Sequence, residues 1–260
     1  MKTFDLLSET FSALFSNKVR SGLTVLGIVI GIGSVITMVS IGQGAQNSIE
    51  ESINSMGSNL LSIMSGTQRG PGVSVSAGRG SAKSLKLSDA EAIKEQISQI
   101  KAVASEVSSR YQVTAKGTNT NTTVTGTVPD YTIVKNVEVD LGSFLAEQNI
   151  KSASKVAVLG PSARDDLFGE DADPVGKTVR IKNIDFKVIG VTKEKGGSGP
   201  NNQDDVIYIP ITVAQRYFSG DEYVSTINVA AESSDAMTAV EEDITNLLIT
   251  RHKIKDPTVL

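Results

Sequence analysis

The chain has 260 residues, enough for one or two ordinary domains with a sizeable core, and a net charge of -4. It contains no cysteine and no tryptophan, which excludes a disulfide scaffold. The small negative balance argues against a broad basic face for nucleic acid.

In chain order, Phe4, Leu7, Phe11, Leu14 and Phe15 recur at helical spacing with Asp5, Ser8, Glu9, Ser12 and Ser16 between them. This pattern predicts an amphipathic helix over residues 1–18, lying on a membrane surface. Arg20 is then the last charge before Glu50, leaving 29 consecutive uncharged positions. The strongly apolar part, Leu23 to Ile41, covers roughly 28 Å as a helix, near the hydrocarbon thickness of a bilayer. A core helix of a soluble domain is rarely uncharged on every face over that length. "GIVIGIGS" lacks the G-x-G-x-x-G spacing of a dinucleotide loop, and the run exceeds the apolar core of a cleaved export signal. A retained membrane span is predicted. Lys18 and Arg20 precede it and acids follow, so the positive-inside rule puts the N-terminus in the cytoplasm. Gly27 and Gly31 form G-x-x-x-G, a face suited to close helix packing, although glycine is also generally common in membrane helices.

The helical pattern continues past the span through Ile49, Ile53 and Met56, with Gly57 as a stop. One helix over 19–56 would act as span and rigid stalk, making those three residues candidates for coupling. "GTQRGPGVSVSAGRGSAKS" (66–84) reads as a mobile loop. "LSDAEAIKEQI" opens a helix, with Ser88 and Glu91 as a capping box and Ile93, Ile97 and Ile100 on one face. Val107, Tyr111, Val113 and Ala115 alternate as a strand; a Thr/Asn-rich turn then leads to a partner strand at Val124, Gly126 and Val128. "KVAVLG" reads as a short buried strand. "PSARDDLFG" reads as a short helix started by Pro161 and ended by Gly169. "KTVRIKNIDFKVIGV" reads as a hairpin turning at Lys182-Asn183. "KEKGGSGPNNQDD" (193–205) reads as a long exposed loop, "VIYIP" as a strand, "ITVAQRYF" as a short helix and "VSTINVAA" as a strand. The last helix starts near Ser234, with Met237, Val240, Ile244, Leu247 and Leu248 inward and Arg251, His252 and Lys253 complementing its negative end. Strands and helices mix without regular βαβ alternation, which predicts an α+β head of two subdomains.

Chemistry-bearing patterns are weak. "PVGKT" (174–178) has Asp171 where a phosphate loop needs glycine, and "GRGSAKS" has Ala82 before its lysine. His252 is the sole histidine and reads as a helix C-terminal cap. Asp165, Asp166, Glu170, Asp171 and Asp173 lack EF-hand spacing and read as a solvated face. No catalytic, cofactor or metal site is predicted.

Several blocks resemble the permease subunits of MacB-type ABC transporters, also called type VII or mechanotransmission proteins. They are "SALFSNKVRSGLTVLGIVIGIGSVITMVSIGQGAQ", "INSMGSNLLSI", "VAVLGPSARDDLFG", "VGKTVRIKNIDFKVIGV" and "VIYIPITVAQRYFSG". The resemblance implies a Porter-like subdomain over 57–115 and 221–254, a Sabre-like insertion over 116–220, and the start of a second stalk at 255–260. It implies three further spans beyond this chain, so the sequence reads as an incomplete permease. It further implies a separate cytoplasmic ATPase that binds the ATP, a homodimer or paired permease, a possible extracytoplasmic adaptor, and work delivered outside the bacterial inner membrane, for efflux or for lipoprotein or peptide handling. From the residues alone a second reading stays open: a single-span, membrane-anchored binding or sensing module. An exported enzyme is the weakest reading, for want of a nucleophile-base or metal constellation.

Overall fold

A computed structural model describes residues 18–56 (side chains as far as 46), 59–65, 84–196 and 202–253. The predicted helix over 1–18, the loop over 66–84 and the stalk start at 255–260 lie outside the described residues, apart from Lys18 and Ser84. The chain divides into two compact units between Asn54 and Ser55.

Within the first unit, helix α1 (Lys18–Met56) is continuous for 39 residues, about 58 Å at 1.5 Å per residue. Its large apolar side chains are bare: Leu23, Ile28, Val35 and Ile41 are all more than half exposed. Glycine at 27, 31 and 33 weakens a helix in water but is tolerated where lipid leaves the backbone no other partner. Its hydroxyls need no water either. Thr24 Oγ1 donates to the Arg20 carbonyl at 2.7 Å, Ser34 Oγ to Gly31 at 2.9 Å and Thr37 Oγ1 to Gly33 at 2.8 Å.

The second unit is α+β. Strand β1 (Leu60–Met64), helix α2 (Leu87–Gln96) and strand β2 (Ile100–Ala115) come first. Then follow β3 (Thr118–Thr127), α3 (Tyr131–Val134), β4 (Val139–Gly142), α4 (Glu147–Lys151), β5 (Val156–Leu159), α5 (Pro161–Phe168), β6 (Thr178–Ile181), β7 (Ile184–Thr192) and β8 (Val206–Pro210). Helix α6 (Ile211–Ala214) runs into a π-helical turn (Gln215–Ser219), and β9 (Thr226–Ala231) and α7 (Met237–His252) close the series.

Two cores form around one shared strand. In the first, β1 and the start of β2 each pair antiparallel with β9, which lies between them. Helices α2 and α7 cover one face of this sheet, burying Ile93, Val103, Ile227, Val229, Val240, Ile244 and Leu248 together. In the second, the ladder runs β2–β3–β8–β5–β7–β6 and returns to β2 through Val113↔Ile181 and Thr114↔Arg180. The ring closes, so these six strands form a small barrel, with β4 added at the far end of β7. Val113, Val124, Leu159, Val179, Ile181, Phe186, Val188, Ile207 and Ile209 fill it.

Several local predictions meet a different outcome. The Thr/Asn-rich stretch is the body of β3, because the chain turns earlier at Lys116-Gly117, both with positive φ. Threonine is a good strand former, and the turn residues are the Lys-Gly pair before it. Helix α2 is not capped by Ser88 and Glu91. Lys86 is its N-cap, and the Asp89 carboxylate accepts the Lys86 N–H at 3.0 Å. The 193–205 loop is not exposed throughout. Asp204 is buried and accepts the N–H groups of Lys195 and Gly196, both at 2.9 Å.

Candidate functional site

The residues predicted to pack and to couple all lie on α1. Gly27 and Gly31 sit one turn apart, and a Cβ on either would meet open space. Among the described residues nothing fills the groove they leave. Ile49, Ile53 and Met56 fall within the helical backbone of α1, and their side chains lie outside the described residues.

In the head, a buried carboxylate ties two helix ends together. Asp89, in the first turn of α2, is 5% exposed. Its Oδ1 accepts from Arg251 Nε at 2.9 Å, and its Oδ2 lies 3.0 Å from His252 Nε2, both at the end of α7. Arg251 Nη2 also donates to the Ser88 carbonyl. Burial alone would push the Asp89 carboxyl up. The Arg251 guanidinium, the Lys86 N–H and His252 outweigh it and hold the group below the usual carboxylate range. His252 was expected to cap its own helix; it pairs instead with a carboxylate 163 residues away in sequence. Periodicity could not show that pairing, since it sees one helix at a time.

A second cluster joins the two cores on the face away from α2 and α7. The Tyr131 and Tyr208 rings meet at a tilt with centroids 5.4 Å apart, and Phe144 meets Tyr208 at a similar tilt, also at 5.4 Å. The Tyr131 hydroxyl lies near the Glu106 carboxylate on β2. Burial pushes the Tyr131 phenol well up, and the neighbouring Tyr208 and Glu106 add to the rise. Tyr131 contributes to the alanine-rich cluster under α3 and also to the cluster around Tyr208. On the opposite face of β2 lies a cleft of about 280 Å³, lined among others by Val107, Tyr111, Ile209, Phe218 and Tyr223.

Among the described residues no group of three or more His, Asp or Glu side chains is placed to hold a metal. Three acids in and just after α5 serve the fold. Asp165 and Asp171 pair with the buried Arg164, and Asp166 accepts from Thr120. The 174–178 stretch leads into β6 rather than into a helix, and Lys177 lies over the Phe168 ring at 5.3 Å.

Comparisons agree with this architecture. The profile of the MacB-like periplasmic core domain matches residues 21–247. The chain is 37% identical over 248 residues to the macrolide export ATP-binding/permease protein MacB of Bdellovibrio bacteriovorus, covering 95% of this chain and 38% of that protein. It is 38% identical over 246 residues to the protein of the same name from Chlorobaculum tepidum, covering 95% and 37%. The chain thus spans less than two-fifths of the length of these relatives. The crystal structure of the periplasmic region of MacB from Actinobacillus actinomycetemcomitans superposes with a TM-score of 0.66 at 27% identity, over 80% of this chain and 91% of that one. The extracellular domain of the Gram-positive transporter YknZ shares the fold, with a TM-score of 0.59 at 23% identity over 67% and 88%. With its profile match running from the span to the last helix, the chain belongs to the MacB-like periplasmic core domain family.

Proposed function

We propose that this chain is the membrane-entry and head portion of an ABC-transporter permease, with no catalytic site of its own. Its N-terminus lies in the cytoplasm and its head outside the inner membrane. A separate cytoplasmic ATPase binds and hydrolyses ATP. Closure of that ATPase draws paired stalks together, and the head delivers the motion to an extracytoplasmic cargo or adaptor, in efflux or in lipoprotein or peptide handling. The observation that carries this reading is an apolar helix, Lys18–Gln46, bare on every side, in a chain whose head has the MacB fold. A helix that carries no charge from Ser21 onward through its apolar run and leaves its apolar side chains exposed is stable in lipid and costly in water. The Lys18 and Arg20 flank supplies the orientation.

The sheet core corresponds to the Porter-like part, 57–115 with 221–254, and the barrel to the Sabre-like part, 116–220. Two hydrophobic clusters support that division in outline, with Val113 and Ala115 in the barrel cluster and Ile150 and Ile211 in the sheet cluster. Strand β2 serves both, with Val103 in one core and Val113 in the other. Gly27 and Gly31 face another membrane helix, and Ile49, Ile53 and Met56 pack between stalks.

The test is functional reconstitution of the full-length permease with its ATPase. Ile53→Asp should leave ATP hydrolysis running while transport falls about tenfold or more, as expected for burying an unpaired charge between stalks. Transport unchanged by Ile53→Asp removes the coupling role. Failure of the ATPase to co-purify with the wild-type permease removes the transporter reading.

A further inference from the structure

The two cores of the head meet at one place on β2, and that place is built to bend. Residues 100–106 of β2 pair with β9, whereas residues 107–115 pair with β3. The strand therefore changes its ladder partner, and the side on which it is held, between Glu106 and Val107. On either side of this point β2 has a deep core beneath it: Val103 belongs to the sheet core, Val113 to the barrel core. Between them Ser109 is exposed at the 280 Å³ cleft, and Val107 and Tyr111, each only partly buried against its own core, line the same cleft. A void removes the dispersion contacts that resist motion, so deformation towards it is cheap. The cleft is walled on the barrel side by Phe218 and Ser219 of the π-helical turn, an element in which Gln215–Ser219 contribute no buried residue.

The other face of the same strand carries the restraint. Glu106 points away from the cleft, towards Tyr131, whose ring bridges the alanine floor of the sheet (Ala102, Ala104, Ala230) and Tyr208 on the barrel wall. We propose that the head flexes between its sheet and its barrel about Glu106–Val107, that the cleft is the space this motion uses, and that Tyr131 is the latch that limits it. The inference concerns the head alone and does not depend on the transporter reading. A hinge with a latch on one face and a void on the other gives two discrete arrangements, latched and unlatched, which is what a transmitting element needs. Tyr131 is a positioning residue here, acting through Glu106 and Tyr208.

The chain has no native cysteine, so a spin-label pair can be introduced without background. Glu242 on α7 and Lys187 on β7 are both exposed, one on each side of the hinge. Glu242→Cys and Lys187→Cys, labelled in the full chain in lipid nanodiscs, give one distance distribution across it by pulsed electron resonance. Tyr131→Phe keeps the ring against Tyr208 and removes the hydroxyl that lies near Glu106; it should broaden the distribution and move its mean. Ser109→Phe places bulk in the cleft and should narrow it. Far-UV circular dichroism confirms that each variant is folded. A single narrow distance that is the same in the parent, Tyr131→Phe and Ser109→Phe overturns the hinge. A Tyr131→Phe shift with no response to Ser109→Phe overturns the role of the cleft.

Discussion

The Asp89 carboxylate allows the most direct test of the forces that hold the head. Asp89→Asn preserves shape and removes the charge. In the parent, one oxygen accepts from Arg251 Nε at 2.9 Å and the other accepts the Lys86 N–H at 3.0 Å while facing His252 at 3.0 Å. An asparagine has one acceptor oxygen, so its NH₂ must point at either the guanidinium or the backbone donor. One buried donor then faces another donor, and Arg251 loses its counter-charge. Charge-assisted bonds contribute about 1.5–3 kcal/mol each, and breaking a buried ion pair costs about 3–5 kcal/mol. Arg251 is about one-third exposed, which lets water compensate it in part, so the loss should fall near 2–4 kcal/mol. For a head of this size that is a fall in Tm of roughly 5–15 °C. Near-UV circular dichroism of the tyrosines follows the head without interference from tryptophan. The pH dependence supplies a second readout. A carboxyl held below its unfolded pKa contributes stability that is present above the unfolded value and is lost as pH falls through the folded one. The parent should therefore lose its advantage over Asp89→Asn on acidification below the ordinary carboxylate range. Equal midpoints at neutral pH, or a gap that does not close in acid, would refute this account.

Other tests bear on separate parts of the argument. A Cβ built at Gly126 on β3 would stand 2.2 Å from the Ala214 Cβ. Gly126→Ala should therefore destabilise by about 1–3 kcal/mol through overpacking, and Ala214→Gly in the same chain should recover part of that loss in urea titrations. Asp185→Asn breaks the bidentate pair with Arg180, whose bonds are 2.6 and 3.1 Å, yet both side chains are more than half exposed. No measurable change in the urea midpoint is expected, because solvent and salt screen such a pair; a clear loss would mean that it braces the β6–β7 hairpin. Gly31→Ile should leave head stability unchanged and reduce crosslinked dimer in membranes, while equal crosslinking would place the packing face elsewhere on α1.

Much of the architecture was legible because its signals are local. The uncharged run from Ser21 to Ile49 marks α1. Pro161 and Gly169 bracket α5, with Gly169 at φ 97° where a side chain would be strained. Lys182 and Asn183 both take positive φ and turn the β6–β7 hairpin as their position between two alternating runs suggested. The α+β class followed from the same local patterns. What stayed hidden is what distance in sequence conceals. Closure of the barrel rests on Val113 meeting Ile181, and the helix tie on Asp89 meeting Arg251. No period within a window of one element carries either pairing.

The misreadings point the same way. Ser88 and Glu91 fit the capping pattern, but the residue in use is Asp89, because the helix begins two residues earlier than that pattern assumed, with Lys86 as its N-cap. The carboxylate at that position can serve its own helix start and receive Arg251 at once, whereas the Ser88 side chain is exposed. Glu106 shows the principle again. In sequence it lies just before the alternating run that starts at Val107 and carries no signal of its own. In the fold it stands where β2 leaves the sheet for the barrel, half-buried against Tyr131. Burying part of a carboxylate costs energy unless a donor meets it, and a strand that only had to pair and pack would be more stable with an apolar residue there. A polar group kept at the junction of two otherwise apolar cores is a contact that can be made and broken without unfolding either one.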